Sequence, residues 1–174
     1  MDSRDEFGHW EMDTVKGKKG VTKSCLLVLS ERKTRMELIF KMADQGAASV
    51  VEALDSLERK RGEQFPIMFK TITVDNGVEF SDTEGIERSV FDSQKKRTSL
   101  FYCHAYSSWE RGTNENINKM IRRHIPKGVD FDDKTENDII YIESWINSYP
   151  RRMFRFQTSK ALFEACLLYT SPSP

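Results

Sequence analysis

Three acidic residues occupy positions from which their carboxylates can meet in a folded chain. Asp13 lies in the stretch WEMDTV, and Asp75 ends the β-branched part of ITVDNGVEF, directly before an Asn-Gly turn. Glu115 lies in RGTNENIN, near the start of a long helical segment. Polar side chains at the point where a strand leaves a sheet are where α/β folds display ligand-binding groups. A fold that makes the first and fourth strands neighbours would place these carboxylates together.

The chemistry that such a set allows is metal-dependent. Clustered carboxylates repel one another unless a cation lies between them, and oxygen ligands suit Mg²⁺ or Mn²⁺. Two such ions can activate a water or a 3′-hydroxyl and stabilise the leaving oxygen of a phosphodiester. Each acid alone also has an ordinary interpretation, as a turn, cap or solvated helix residue. Glu79 and Glu110 are further acids close by, so only the constellation is informative.

Positive charge on the long helical segment suits the same substrate. Glu115, Lys119 and Arg122 are spaced i, i+4, i+7 and so share one face of a helix. The other cations of this segment are Arg111, Arg123 and Lys127. We interpret this surface as a contact to DNA phosphates beside the metal site. The alternative is a Glu115–Lys119 pair on a solvated face, which would contribute about 0.3 kcal/mol.

The total charge gives no sign of an anionic partner, because Lys+Arg and Asp+Glu number 27 each and cancel. A DNA-binding protein of this composition has to concentrate its cations locally. The helical segment is one such place. A second is the cluster Arg151, Arg152 and Arg155, although surface arginines packed by Phe154 and Phe156 are an equal alternative there.

The elements that must position these residues follow from hydrophobic periodicity. Strands are predicted at residues 10–15, 24–29, 36–42, 69–74 and 98–103. Helices are predicted at residues 47–60, 82–92, 107–125 and 136–148. A three-strand antiparallel meander followed by alternating helices and parallel strands predicts an α/β fold with helices on both faces of a mixed five-stranded sheet. That order is typical of a ribonuclease H-like fold, with residues 16–23 as the first hairpin turn.

Length and composition set the remaining bounds. A chain of 174 residues suits one domain with one core, which we place at residues 1–165. The Ser/Pro-rich residues 166–174 are predicted to be a disordered tail, for which non-native sequence is one explanation. Three distant cysteines give no zinc pattern. No apolar run approaches the roughly 20 residues of a membrane helix, and the polar N-terminus is no signal peptide, so we expect a cytoplasmic protein.

Three stretches make the chain resemble the integrase-type catalytic core of bacterial DDE transposases, in particular the insertion sequence thirty family. They are GHWEMDTVKGK, TITVDNGVEF and YSSWERGTNENINKMIRRHIPKG. Fainter matches lie in INSYPRR and TSKALFEA. The resemblance extends over roughly residues 7–165, and the second and third stretches together are highly specific.

The resemblance implies a DDE catalytic triad at Asp13, Asp75 and Glu115, and two divalent metal ions, Mg²⁺ or Mn²⁺. It implies metal-dependent cleavage of DNA at transposon ends, followed by transfer of the strand to target DNA. DNA and further copies of the chain are the expected partners, with no membrane, in the nucleoid of a bacterial cell. Lys119 and Arg122 are similar in placement to basic residues of retroviral integrases that touch the DNA end. Lys119 stands where glycine is common, so its DNA role rests on helix geometry.

Two competing hypotheses remain. Family transposases carry an N-terminal helix-turn-helix region, and nothing before Phe7 could supply it, so the chain is predicted to be a fragment. A catalytically silent fragment that only binds DNA or oligomerises is therefore the alternative function. A ribonuclease H-type hydrolase would share the metal site, but the basic third stretch disfavours it.

Overall fold

Five strands form one mixed sheet in the computed structural model, which describes residues 6–103 and 112–170. They are β1 (His9–Lys16), β2 (Cys25–Glu31), β3 (Glu37–Met42), β4 (Thr71–Val74) and β5 (Ser99–Tyr102). Their order across the sheet is β3-β2-β1-β4-β5. The first three form an antiparallel meander, and β4 and β5 continue the sheet parallel to β1. The predicted mixed sheet is confirmed.

Six α-helices flank this sheet in the described part of the chain. They are α1 (Ala47–Arg61), α2 (Phe65–Met68), α3 (Thr83–Glu87), α4 (Gly112–His124), α5 (Glu136–Ser148) and α6 (Ser159–Thr170). The predicted bounds of α5 are confirmed, and Thr135 begins this helix with a capping box to Asp138. The predicted helix at 107–125 is confirmed from Gly112 on, because residues 104–111 lie outside the described ranges.

Each face of the sheet has its own apolar core, because side chains alternate along a strand. All seven residues of β2 are buried, as expected of a strand covered on both faces. Leu27 and Leu29 pack with Trp10 and with apolar residues of α1 and α6. Leu26 and Val28 pack instead with apolar residues of α4 and α5. Helices on both faces were predicted and are present.

Two predicted elements were wrong in extent. The helix predicted at 82–92 ends at Glu87, because the next residues turn back so that Arg88 bridges to Lys96. The buried Arg97 guanidinium holds this turn through Asp55 Oδ1 at 2.6 Å and Glu58 Oε2 at 3.1 Å.

The predicted disordered tail is the second correction. Residues 166–170 are helical, since α6 continues to Thr170. Cys166 and Leu167 pack against the core that contains Trp10 and Leu27, and this contact stabilises the last turns of the helix. Residues 171–174 lie outside the described ranges. Of the helices described, none is long and apolar enough to cross a membrane.

Candidate active site

The relative placement of Asp13 and Asp75 follows from the parallel pairing of β1 and β4. His9 pairs with Thr71, 62 positions along the chain, and Glu11 pairs with Thr73. The same spacing, carried two residues further, takes Asp13 to Asp75. Adjacent strands are about 4.8 Å apart, and paired residues of parallel strands project from the same face. Continued past the last pair, this register directs Asp13 and Asp75 to the same face of the sheet at the end of β4.

The third predicted acid lies on the helix that covers this face of the sheet. Val15, two residues after Asp13 and so on the same side of β1, is buried with Ile117 and Ile121 of α4. Glu115 lies in the first turn of α4 and is exposed. Among the described residues, no three His, Cys, Asp or Glu side chains are grouped so that they could hold one metal ion. Glu115 thus shares the layer above Asp13 without forming a compact three-acid cluster with the two aspartates.

Backbone N–H groups of nearby residues bind one oxygen of each aspartate. The Thr14 N–H donates to Asp13 Oδ1 at 2.8 Å, and the Gly77 N–H donates to Asp75 Oδ1 at 2.9 Å. The second contact is the self-capping that makes aspartate common at turns. A Cβ at Gly77 would lie 2.9 Å from Asp75 Oδ1 and 2.6 Å from Glu79 Oε2. An added Cβ would therefore require the Glu79 and Asp75 carboxylates to shift, which links the orientation of Asp75 to the glycine at this position.

A buried polar cluster adjoins the aspartates, with Thr14 on the face of β1 opposite Asp13 and Glu79 in the turn that follows Asp75. Glu79 is only 8% exposed. Its Oε1 accepts a hydrogen bond from Thr14 Oγ1 at 2.8 Å and another from Gln45 Nε2 at 2.6 Å. Gln45 Nε2 also donates to Thr14 Oγ1 at 3.0 Å. The three side chains connect the loop after β3, strand β1 and the turn after β4, so they fix the backbone on which both aspartates stand.

The sequence gives only a weak signal for this cluster. In the sequence, Glu79 is only one more acid close to Asp75, and nothing in the pattern indicates that it supports the backbone around the aspartates. Alternation does place Thr14 on the face opposite Asp13. Gln45, however, lies 31 positions after Thr14 in the sequence, and its hydrogen bonds depend on the tertiary fold.

The cations predicted to touch DNA fall into two groups. Lys119, Arg123 and Lys127 are exposed, and no ion pair joins Glu115 to Lys119 within the described side chains. Arg122 instead contacts the protein, because its Nη2 donates to the Lys16 carbonyl at 2.7 Å. Its guanidinium also lies 5.5 Å from the centre of the Phe131 ring. Partial burial accordingly lowers the pKa of Arg122. Arg111 lies outside the described residues.

The second predicted basic cluster is also divided. Arg152 and Arg155 are exposed. Arg151 is half-buried, and burial lowers the pKa of its guanidinium, although the nearby Glu37 carboxylate opposes that shift. Arg151 therefore faces the protein interior, which matches the packed-arginine alternative for this residue.

Comparison with known proteins adds relatives that share most of this chain. No protein-family model matches it. A probable transposase of the element IS1161 from Streptococcus salivarius is 38% identical over 94% of the chain, which spans 44% of that protein. The transposase of IS4351 from Bacteroides fragilis is 34% identical, again over 94% of the chain and 47% of the relative. Transposase InsI of IS30C from Escherichia coli strain K12 is 30% identical over 94% of the chain and 40% of the relative.

Each of these relatives is thus more than twice as long as the segment that it shares with this chain.

Among solved structures, a simian T-cell lymphotropic virus intasome, in complex with the PP2A regulatory subunit B56 gamma, has a similar fold. The TM-score is 0.67 at 16% identity, over 95% of this chain and 56% of that one. This likeness concerns the fold alone, and it agrees with the ribonuclease H-like arrangement expected from the order of elements.

Proposed function

We propose, because this chain is a homologue of the IS30-family transposases over almost its whole length, that it is the catalytic core that cleaves and joins DNA strands in transposition. The observation that supports the proposal is the register of β1 and β4, which, continued two residues past the Glu11–Thr73 pair, sets Asp13 opposite Asp75. The relatives' names support DNA transposition as the process. The whole-protein activity, with its transposon ends and target DNA, is proposed here by homology.

The donor atoms at this edge of the sheet fit a hard divalent cation. Asp13 and Asp75 contribute carboxylate oxygens, the ligands that Mg²⁺ and Mn²⁺ prefer, and α4 carries Glu115 on the layer above. We assign these three residues as the ligands of two Mg²⁺ or Mn²⁺ ions. When bound, such ions activate the attacking water or 3′-hydroxyl and stabilise the leaving oxygen of a phosphodiester.

The protein's own contribution to this reaction is orientation and charge. The backbone N–H groups of Thr14 and Gly77 each bind one oxygen of an aspartate. This limits the rotation of both carboxylates before DNA binds, and preorganised groups of this kind need little rearrangement during reaction. The exposed Lys119, Arg123 and Lys127 would bind phosphates of the DNA on the same side of the sheet. A homo-oligomer remains a prediction.

The test compares Asp75→Asn with Glu52→Gln, a carboxylate-to-amide change at an exposed position of α1. Asparagine can still accept the Gly77 N–H, so the turn should survive the loss of charge. We expect Asp75→Asn to abolish Mn²⁺-dependent nicking and joining of a DNA oligonucleotide duplex and to remove Mn²⁺ binding in calorimetry. Glu52→Gln should retain both.

Two results would contradict the proposal. Strand joining by folded Asp75→Asn would remove Asp75 from the site. A folded wild-type chain that binds DNA but neither binds Mn²⁺ nor joins strands would favour the alternative, a silent DNA-binding fragment. Asp13→Asn should behave as Asp75→Asn does, and matching thermal unfolding curves establish that the variants are folded.

A further inference from the structure

The turn between β1 and β2 carries a dense group of positive charges. This basic hairpin, residues 16–23, contains four lysines and no acid. They are Lys16, Lys18, Lys19 and Lys23, and all four are exposed. In the described part of the chain, none of them takes part in an ion pair. In a protein with no net charge, the basic hairpin is therefore a local concentration of cations.

The basic hairpin projects from the edge of the sheet that carries the aspartates. Lys16 follows Asp13 by three residues on the same strand, which is about 10 Å at the rise of a β-strand. Because β1 and β4 are parallel, the strand end that leads into the hairpin lies on the side of the sheet where Asp75 leaves β4. A duplex long enough to reach the aspartates would pass within the reach of lysine side chains.

The backbone of the basic hairpin is held firmly by the chain that follows α4. Thr22 Oγ1 donates to Asp130 Oδ1 at 2.7 Å, and the N–H of Ser24 donates to Asp132 Oδ1 at 3.0 Å. The turn itself closes through the Thr22 N–H to the Lys18 carbonyl at 3.0 Å. The two aspartates thus bind a hydroxyl and a backbone N–H rather than lysine ammonium groups. The lysines project from a fixed base, which lowers the entropic cost of presenting them together.

The basic hairpin is also continuous with the exposed cations of α4. Arg122 joins the two elements, since its guanidinium donates to the carbonyl of Lys16 at 2.7 Å. Residues 119–127 contain four Lys or Arg and, like the hairpin, no Asp or Glu. Two cationic segments that are distant in the sequence therefore meet at Arg122, at the end of the strand that carries Asp13. A polyanion with regularly spaced charges is the ligand that suits such a surface.

We propose that the basic hairpin is a second DNA-binding element, which grips the phosphodiester backbone of the duplex whose strand enters the site of Asp13 and Asp75. The proposal rests on the proposed function for the identity of the polyanion. Lysine makes point-charge contacts to phosphates, which position a duplex but do not select its sequence. Binding through the basic hairpin should therefore be independent of DNA sequence and strongly dependent on salt.

The experiment measures duplex binding by fluorescence anisotropy over a range of salt concentrations. The hairpin variant carries Lys18→Gln and Lys19→Gln. The matched control carries Arg59→Gln and Lys60→Gln, which removes two exposed cations from the last turn of α1. Each lost phosphate contact lowers the slope of log K against log salt by about 1, so the hairpin variant should lose about 2. The control should keep the wild-type slope.

Equal slopes for the hairpin variant and its control would overturn the proposal. A hairpin variant that binds the duplex as the wild type does, but no longer binds vesicles of acidic phospholipid, would also overturn it. That result would assign the hairpin to a membrane surface. The proposed function is tested separately, because Asp75→Asn removes chemistry but leaves the lysines in place. A wild type that joins strands while the hairpin variant binds normally contradicts only the hairpin. A hairpin-dependent slope in a chain without strand joining contradicts only the catalytic proposal.

Discussion

Replacing Thr14 by valine tests whether the buried cluster beside the aspartates supports the site. Valine has nearly the shape of threonine, but a methyl group takes the place of the hydroxyl. The change removes the 2.8 Å hydrogen bond from Thr14 Oγ1 to Glu79 Oε1 and the acceptor for Gln45 Nε2 at 3.0 Å. The Thr14 backbone N–H, which binds Asp13, is retained. The substitution is thus directed at the support of the site and spares its ligands.

The magnitude follows from the burial of Glu79. A hydrogen bond to a charged group contributes about 1.5–3 kcal/mol, and an acceptor left buried without its donor adds a desolvation cost. Gln45 still donates to Glu79 at 2.6 Å, and valine is slightly favoured in strands. These effects reduce the loss, so we expect Thr14→Val to lower the free energy of unfolding by about 2 kcal/mol. For a domain of this size, that corresponds to a fall in melting temperature of roughly 4–8 °C.

Urea unfolding of four proteins isolates the contribution of the bond. They are the wild type, Thr14→Val, Glu79→Gln and the double variant, and we expect a coupling energy of about 1 kcal/mol or more. Thr73→Val is the matched control, because Thr73 lies on the adjacent strand and no hydrogen bond of its hydroxyl is seen among the described residues. A coupling energy below about 0.5 kcal/mol, the usual additivity error, would refute the view that Thr14 and Glu79 act as one unit.

Two further predictions concern the same sheet. Burial raises the pKa of the Glu37 carboxyl well above its ordinary value of 4.5, against the hydrogen bond from Ser30. As the pH rises past 4.5, unfolded Glu37 ionises while folded Glu37 stays protonated, so the wild type loses stability up to the folded pKa. Glu37→Gln should remove this loss, and its stability advantage in urea titrations should grow as the pH rises above 4.5; parallel profiles would contradict the assignment. Gly77→Ala should weaken Mn²⁺ binding in calorimetry by about 10–100-fold, because its Cβ would press on Asp75 and Glu79; unchanged affinity would show that the turn can adapt.

Local patterns predicted the elements that position the site. The strands could be recognised because apolar side chains alternate or run continuously along them, and α5 because Thr135 supplies a capping box. Once β1 and β4 are neighbours, the register that pairs Glu11 with Thr73 leads, two residues further, to Asp13 opposite Asp75. These features depend on short stretches of sequence and one rule of strand pairing.

The features that were missed depend on partners far away in the chain. Helix α3 stops early because the buried Arg97 binds Asp55 and Glu58, about 40 residues before it. Residues 166–170 are helical because Cys166 and Leu167 find a core to pack on, a favourable contact that composition does not reveal. Local propensity is a weak prior wherever such tertiary contacts are available.

Arg122 shows the same limit for function. Helical spacing correctly places it on a face with Glu115 and Lys119. It cannot show that the Lys16 carbonyl and the Phe131 ring lie within reach of the guanidinium. The residue predicted as a phosphate contact therefore joins α4 to the basic hairpin, and the lysines of that hairpin become the stronger candidates for DNA contact.

The zero net charge of the chain does not describe the electrostatic potential near the hairpin, because several acids are buried and paired while the hairpin lysines are exposed. Several acids are bound by groups inside the protein. Glu31 is buried and accepts hydrogen bonds from the N–H groups of Gly8 and Thr34. Asp55 and Glu58 form ion pairs with the buried Arg97. Their charge is compensated at short range. The hairpin lysines project into solvent from the end of β1. A phosphate within a Debye length of about 8 Å is attracted to them with little screening by salt. Local pairing, rather than the total of 27 against 27, therefore determines where this neutral chain can attract a polyanion.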